Sequence, residues 1–177
     1  MEITPKLIST RLAQLKPGDL YLYQHGEGAS VGLMVIDSAM DNDPCELALG
    51  PAFPYGTKGP HLQKTNPCSV VSFGPDFRLI LPTEPSAWHF EAPPPDCHCV
   101  AIDDQTAYFR ANWAQPQYPF RSCYINIQTG KVHVAGPGRS GYSEPPGVKA
   151  YASKWTLALP GENGAAIHSY EWSGPSE

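Results

Sequence analysis

The stretch from Asp19 to Asp37, DLYLYQHGEGASVGLMVID, decides the fold class of this chain. Leucine alternates with tyrosine over residues 20–23, and a period of two residues is typical of a strand with one buried face. Residues 31–37 form a nearly continuous apolar run, as expected for a strand that is buried on both faces. Because the glycine-containing segment 26–30 between them has the length of a hairpin loop, we predict an antiparallel pair of strands.

Other parts of the chain repeat this pattern. In residues 118–136, apolar side chains alternate with polar ones on both sides of Gly130, which predicts a second hairpin. The chain also carries 16 glycines and 20 prolines, and only 16% of its residues are charged, compared with about 25% in an average globular protein. Short strands joined by many turns have this composition. We therefore predict a mainly β fold, either an antiparallel partly closed barrel or a two-sheet sandwich.

One segment, residues 4–16, has the pattern of an α-helix instead. Thr4 is a suitable N-cap, and Pro5 suits the first helical position. Three apolar residues at helical spacing would form one stripe: Ile8, Leu12 and Leu15. We predict a single N-terminal α-helix over about residues 4–16, which would cover an end or an edge of the β structure.

The chain has 177 residues, with no convincing internal repeat and no clear linker. A chain of this length buries roughly 70% of its unfolded surface, so that no disulfide or metal is needed to hold the fold together. We predict one β-rich domain over residues 1–177, with a frayed tail at residues 173–177.

Charge and cysteine content restrict the partners and the compartment. The 12 basic and 17 acidic residues give a net charge of −5, and no lysine or arginine cluster exists that could follow a phosphate backbone. We therefore expect neither nucleic acid nor a membrane as a partner. No signal-peptide pattern and no membrane-spanning apolar run is present in the sequence. Together with the odd count of 5 cysteines, this predicts a soluble cytoplasmic protein with reduced thiols.

The tetrapeptide Asp96-Cys97-His98-Cys99 concentrates residues that bind metals or react as nucleophiles. We predict a strand over residues 97–103, in which Cys97 and Cys99 share a face and His98 points away from it. Three side chains arranged in this way cannot hold one tetrahedral ion without local distortion of the strand. The sequence thus favours two buried thiols and no cofactor. The alternative is a Cys/His-based enzyme or a zinc-binding protein centred on this strand, with His89 as a further ligand.

Two long loops rich in glycine and proline, residues 51–67 and 136–147, interrupt the strands. Long loops within compact domains are frequently functional. These two contain aromatic and basic side chains suited to contacting a ligand: Phe53, Tyr55, Arg139 and Tyr142. Since the sequence contains no recognisable catalytic motif, it favours a non-catalytic binding protein that contacts a protein or a small molecule through these loops.

Overall fold

The computed structural model describes residues 8–25, 28–37, 43–50, 59–64, 69–113, 121–133, 144–160 and 164–174, and these are mainly β structure. Their strands, in chain order, are β1 Ile8–Arg11, β2 Leu20–His25, β3 Gly28–Asp37, β4 Asp43–Gly50, β5 His61–Lys64, β6 Ser69–Gly74, β7 Arg78–Ile80, β8 Trp88–His89, β9 Val100–Ile102, β10 Ala107–Trp113, β11 Arg121–Asn126, β12 Val132–His133, β13 Ala150–Ala152, β14 Lys154–Ala158 and β15 Ala166–Glu171. The helical segments are two short 3₁₀ turns, Leu12–Gln14 and Pro85–Ala87. No helix in these ranges is long and apolar enough to cross a membrane.

The strands form two sheets. The large sheet has twelve strands in the order β1-β6-β2-β3-β4-β5-β10-β9-β13-β8, with β11 on β10 and β12 on β11, and the small sheet has the order β15-β14-β7. Among the strand pairs of the described ranges, only β5 with β10 is parallel. An isolated bridge joins Ile36 to Lys131, but the large sheet does not close into a barrel within these ranges. The prediction of a mainly β, mostly antiparallel fold is thus confirmed.

Both predicted hairpins are present. Strands β2 and β3 pair antiparallel from Leu20 opposite Leu33 to His25 opposite Gly28, so that residues 28–30 of the predicted loop belong to β3. Strand β11 pairs with β12 across a turn that contains Gly130. Gly130 has a φ of 64° and is packed against the turn at Gly18, whose N–H donates a 2.9 Å hydrogen bond to the carbonyl of Met34. A Cβ atom at Gly130 would overlap the Gly18 nitrogen and lie 2.6 Å from the Met34 oxygen, so only glycine fits there.

The predicted N-terminal helix is wrong for residues 8–16, and residues 4–7 lie outside the described ranges. Strand β1 pairs antiparallel with β6, from Ile8 opposite Ser72 to Arg11 opposite Ser69. The edge of β6 supplies the backbone hydrogen bonds that a helix would have made internally, and β-branched residues favour the extended form. Leu12 is buried in the first 3₁₀ turn, in one cluster with Tyr21 and Met34, and Leu15 packs partly buried against it.

The main core lies on one face of the large sheet. Apolar side chains from its central strands form one buried cluster there, including Leu33, Leu47, Phe109 and Ile125. Trp155 of the small sheet belongs to the same cluster, with its ring centroid 4.9 Å from that of Phe109. The small sheet therefore packs onto the apolar face of the large one. That residues 1–177 form one domain stays a prediction, and residues 175–177 of the predicted tail lie outside the described ranges.

Candidate functional site

A tight turn determines the position of the two neighbouring cysteines. The N–H of Cys97 donates a 3.2 Å hydrogen bond to the carbonyl of Pro94. Between them, Asp96 has a φ of 54° and is the one non-glycine residue with a positive φ in the described ranges. Proline at the second position and a left-handed residue at the third are typical of a type II turn. Such backbone strain in a non-glycine residue is concentrated at functional sites.

The turn also corrects the predicted strand over residues 97–103. Strand β9 comprises only Val100–Ile102, and Cys97 to Cys99 form irregular backbone before it. The prolines that precede the turn cannot donate to a strand ladder, and the turn redirects the chain at Cys97. The two thiols are therefore not held at the spacing of a regular strand.

The two thiols belong to one buried cluster. Cys97 and Cys99 are buried, with 1% and 0% of their surfaces exposed, as the sequence predicted. The pKa of Cys97 is lowered by its interaction with Cys99, and the same interaction raises the pKa of Cys99. The Tyr170 hydroxyl, from β15 in the small sheet, accepts a 3.0 Å hydrogen bond from the His98 N–H, and its interaction with Cys97 also lowers the pKa of that thiol. We call the pair Cys97 and Cys99, together with Tyr170 and Arg110, the dithiol centre.

Arg110 of β10 supplies the positive charge of the dithiol centre. Its Nη1 atom donates hydrogen bonds to the carbonyls of Cys97, at 2.6 Å, and Pro94, at 3.3 Å. Its backbone N–H donates to the Cys99 carbonyl at 2.9 Å. Its Nε atom is buried without a hydrogen-bond partner, although a buried donor of this kind is rarely left unpaired. The guanidinium therefore holds the turn and still has an unused donor at the centre.

These contacts shift the pKa values of the two thiols in opposite directions. The interaction with Cys99, with that of Tyr170 and the charge of Arg110, lowers the pKa of Cys97 against the opposing effect of burial. The pKa of Cys99 is raised by its interaction with Cys97 and by burial. Burial likewise raises the pKa of Tyr170. Cys97 is thus the more acidic of the two thiols.

The described ends of both long loops lie beside the dithiol centre. The predicted loop 51–67 is wrong for residues 61–64, which form β5 because β4 and β10 supply backbone partners on both sides. Gly59, just before β5, is packed so closely on the His98 ring that a Cβ atom would overlap it. Glu144, at the end of loop 136–147, is near enough to Tyr124 for its charge to raise the pKa of that phenol, which burial has already raised, to about 12 in total. Tyr124 belongs to the same buried cluster as the two thiols.

The structure places only some of the predicted site residues together. His89 lies on β8, where its ring meets Trp172 edge-on at 6.2 Å. In the described part of the chain, no three His, Cys, Asp or Glu side chains are arranged to hold a metal ion, so His89 does not join the two thiols as a zinc set. The predicted loop residues all lie outside the described ranges: Phe53, Tyr55, Arg139 and Tyr142. The sequence analysis did not identify Arg110 or Tyr170.

A second buried polar network joins strands β2, β4 and β5 of the large sheet. Glu46 of β4 is only 4% exposed and accepts a 2.6 Å hydrogen bond from the Tyr21 hydroxyl and another from Gln63 Nε2. The His61 Nε2 atom is 3.1 Å from Gln63 Oε1. Tyr21 reaches Glu46 by crossing Gly32 of β3, where a Cβ atom would lie 2.6 Å from the Tyr21 ring. The carboxylate is thus buried with hydrogen-bond partners for both of its oxygens, as a stable fold requires.

Comparison of the chain with protein-family models, with curated proteins and with solved structures finds no match. Its function must therefore be inferred from the contacts of the described residues.

Proposed function

We propose that the chain is a thiol-based redox protein, in which a hydroperoxide oxidises Cys97 and Cys99 then completes a disulfide. The observation that carries this proposal is that Cys97 and Cys99 are buried in one cluster beside Arg110, which donates a 2.6 Å hydrogen bond to the Cys97 carbonyl and whose charge, with Cys99 and Tyr170, lowers the pKa of Cys97. A thiolate is the nucleophilic form of cysteine, and a neighbouring cation and hydroxyl donors favour it. A second thiol within reach is typical of reversible redox cysteines.

The chemistry has two balanced steps. First, the Cys97 thiolate attacks one peroxide oxygen and the O–O bond breaks, so that sulfur becomes a sulfenic acid and the other oxygen takes up a proton and leaves as water. Second, the Cys99 sulfur attacks the Cys97 sulfur, the S–O bond breaks, and the hydroxyl leaves as water with the Cys99 proton. Two thiols and one hydrogen peroxide thus give one disulfide and two waters. An external dithiol restores the centre by thiol–disulfide exchange.

Burial supports a small oxidant rather than a protein disulfide. The two sulfurs are 1% and 0% exposed, and attack on a protein disulfide requires the partner sulfur to approach in line. Hydrogen peroxide is little larger than water and needs no docking surface. Tyr170 and Arg110 would keep their contacts with the centre while it reacts.

Treatment of the reduced protein with one equivalent of hydrogen peroxide tests this proposal. The intact mass is expected to fall by two hydrogens, with the new disulfide located by peptide mapping between Cys97 and Cys99. Cys97→Ser should abolish the reaction, and Cys99→Ser should leave a sulfenic acid that dimedone traps. Tyr170→Phe should slow the oxidation by peroxide about tenfold, since a hydrogen bond to a charged group contributes about 1.5 kcal/mol.

Cys123→Ser is the matched control, because Cys123 is also a buried cysteine outside any disulfide but belongs to the main core and not to the cluster that contains Cys97 and Cys99. This variant should react like the original chain. Equal losses in Cys97→Ser and Cys123→Ser, or thiols that react only after unfolding, would contradict the proposal.

A second candidate is the binding function predicted from loops 51–67 and 136–147, for a protein or a small molecule as the partner. It is supported by the position of the described loop ends, Gly59 against His98 and Glu144 near Tyr124. Loops that meet over one patch of a rigid sheet are a common way to build a ligand site. A cytoplasmic location is a further prediction, consistent with a centre that must be kept reduced.

Replacing Tyr55, Arg139 and Tyr142 together by alanine tests the binding function. A panel of small carboxylates, phosphates and nucleosides would be screened by thermal shift, and any compound that binds the original chain should bind the triple variant at least about tenfold more weakly, as expected when an anchor worth about 1.4 kcal/mol is lost. Phe90→Ala is the control, because Phe90 is an aromatic residue outside the loops with 71% of its surface exposed. Unchanged affinity in a stably folded triple variant would exclude these loops as the contact surface.

A further inference from the structure

We infer that His168 makes the docking of β15 sensitive to pH, so that mild acid releases this strand from the core and uncovers Cys97 and Cys99. Strand β15 is an edge of the small sheet, and in the described ranges it pairs only with β14. His168 lies on it opposite Leu157, which is completely buried. Because opposite residues of an antiparallel pair share a face, the imidazole lies on the side of the small sheet that faces the core.

The surroundings of the His168 ring are aromatic. Its centroid is 5.5 Å from that of Trp155, which is 1% exposed and belongs to the main core. Tyr170, two residues along the same strand, stacks on the same indole at 5.5 Å, and Phe109 of the large sheet contacts it at 4.9 Å. Two rings of β15 thus hold the strand on one buried tryptophan at the interface between the sheets.

Among the described residues, no charged side chain compensates a proton on His168. Alternation along the strands places Arg110 on the face of β10 away from the core. It places the charged residues in the strands of the small sheet on the outer face of that sheet: Arg78, Lys154 and Glu171. Burial raises the pKa of Tyr170, which keeps its proton, and the His98 ring meets Tyr170 edge-on at 5.8 Å without adding a negative charge. The Cys97 thiol interacts with Tyr170, whereas burial is the cause that acts on His168.

Protonation of His168 therefore opposes the docking of β15. Burial lowers the pKa of His168 below that of an exposed histidine, which is about 6.5, so the released strand binds a proton more readily than the docked one. Docking is thus strongest above about pH 7 and weakens as the pH falls through about 6.5. Below the lowered pKa of the docked ring, more acid causes no further loss from this group.

Release of β15 changes the surroundings of the two cysteines. The Tyr170 hydroxyl accepts a 3.0 Å hydrogen bond from the His98 N–H, and Tyr170 and Trp172 pack against the buried cluster that contains Cys97 and Cys99. When the strand leaves, this hydrogen bond breaks and the cluster loses both aromatic side chains. The inference does not depend on the proposed redox function, because the release of a strand involves no thiol chemistry.

Hydrogen exchange of the reduced protein, measured amide by amide at about pH 7.5 and about pH 5 and corrected for the intrinsic effect of pH, tests the inference. The amides of His98 and Trp172, which donate 3.0 Å hydrogen bonds to the Tyr170 hydroxyl and the Ser153 carbonyl, should lose about threefold or more of their protection in acid. The Gly18 amide of the large sheet should keep its protection. Unchanged protection at His98 and Trp172, or an equal loss at Gly18 that indicates global unfolding, would overturn the inference.

His168→Gln separates this histidine from the others, since glutamine is polar but does not titrate. In this variant the protection of the two reporter amides should be the same at both pH values. His133→Gln is the matched control, because burial also lowers the pKa of His133, which lies on β12 of the large sheet. This control should behave like the original chain. A pH dependence that persists in His168→Gln, or disappears in His133→Gln, would contradict the role of His168.

Two measurements on the original chain keep the test decisive if His168→Gln does not fold. In an NMR titration, the His168 ring should titrate at lower pH than an exposed histidine, and a ring that titrates at or above the ordinary range would overturn the inference. Cys97 and Cys99 should react with dithiodipyridine faster at the lower pH, relative to the unfolded chain at the same pH. Equal relative rates at both pH values would show that acid does not uncover them.

Discussion

Replacement of Gly130 by alanine is expected to lower the free energy of unfolding by about 3 kcal/mol, which combines about 1 kcal/mol for a left-handed alanine with about 2 kcal/mol for overpacking. The φ of Gly130 is 64°, and a Cβ atom there would overlap the Gly18 nitrogen and lie 2.9 Å from the Pro17 carbonyl carbon. These are backbone atoms, which cannot move aside by changing a rotamer. Urea denaturation followed by tryptophan fluorescence measures the loss.

Gly147→Ala is the matched control for this prediction. Gly147 has a φ of 84°, but nothing lies within 4 Å of the position of its Cβ atom. The variant should therefore lose only the conformational part, about 1 kcal/mol. Equal losses at Gly130 and Gly147 would show that the two turns do not approach each other as closely as described.

Replacement of Glu46 by leucine is expected to destabilise the fold by about 3 kcal/mol, because buried donors left without an acceptor cost about 1–3 kcal/mol each. The donors are the Tyr21 hydroxyl of β2, which reaches Glu46 across β3, and the Gln63 amide of β5, the strand next to β4. Adding Tyr21→Phe removes one of the two donors that Glu46→Leu leaves without an acceptor. The double variant should thus lose less than the sum of the two single variants, as a double-mutant cycle would show.

An exposed carboxylate provides the comparison. Glu84 lies 3.2 Å from Lys154 in an ion pair whose side chains are 45% and 41% exposed, and Glu84→Ala should change stability by no more than about 0.5 kcal/mol. If Glu46→Leu lowered the free energy of unfolding no more than Glu84→Ala, the carboxylate of Glu46 would not be holding the buried network together.

The local parts of the fold were predictable from the sequence. The hairpin of β2 and β3 depends on alternation and on a short loop, both of which are visible within residues 19–37. The N-terminal segment was not predictable in this way, because the spacing of Leu12 and Leu15 suits a helix while the edge that captures Ile8–Arg11 belongs to β6. Tertiary pairing overrode the local pattern there.

Of the residues in the candidate site, only the two cysteines were predictable from the sequence. The sequence locates the thiols and their burial, but the residues that distinguish one thiol from the other come from distant strands. Arg110 is 13 residues from Cys97, and Tyr170 is 72 residues from His98. No local period connects such positions, since only the register of the sheets brings them together. Gly32 could have been noticed in the sequence, because glycine inside a strand frequently marks a close approach of another group. That this group is Tyr21 follows only from the pairing of β2 with β3.

The position of Tyr170 on the last strand has a consequence for the order in which the molecule matures. A nascent chain that has left the ribosome only as far as β14 already contains both sulfurs and the arginine, but it lacks the phenol that contacts Cys97. Contacts between residues so far apart in the chain also form slowly, since closing a long loop must precede them. A chain that lacks β15 therefore lacks one of the interactions that lower the pKa of Cys97, and this interaction forms only once β15 has paired with β14.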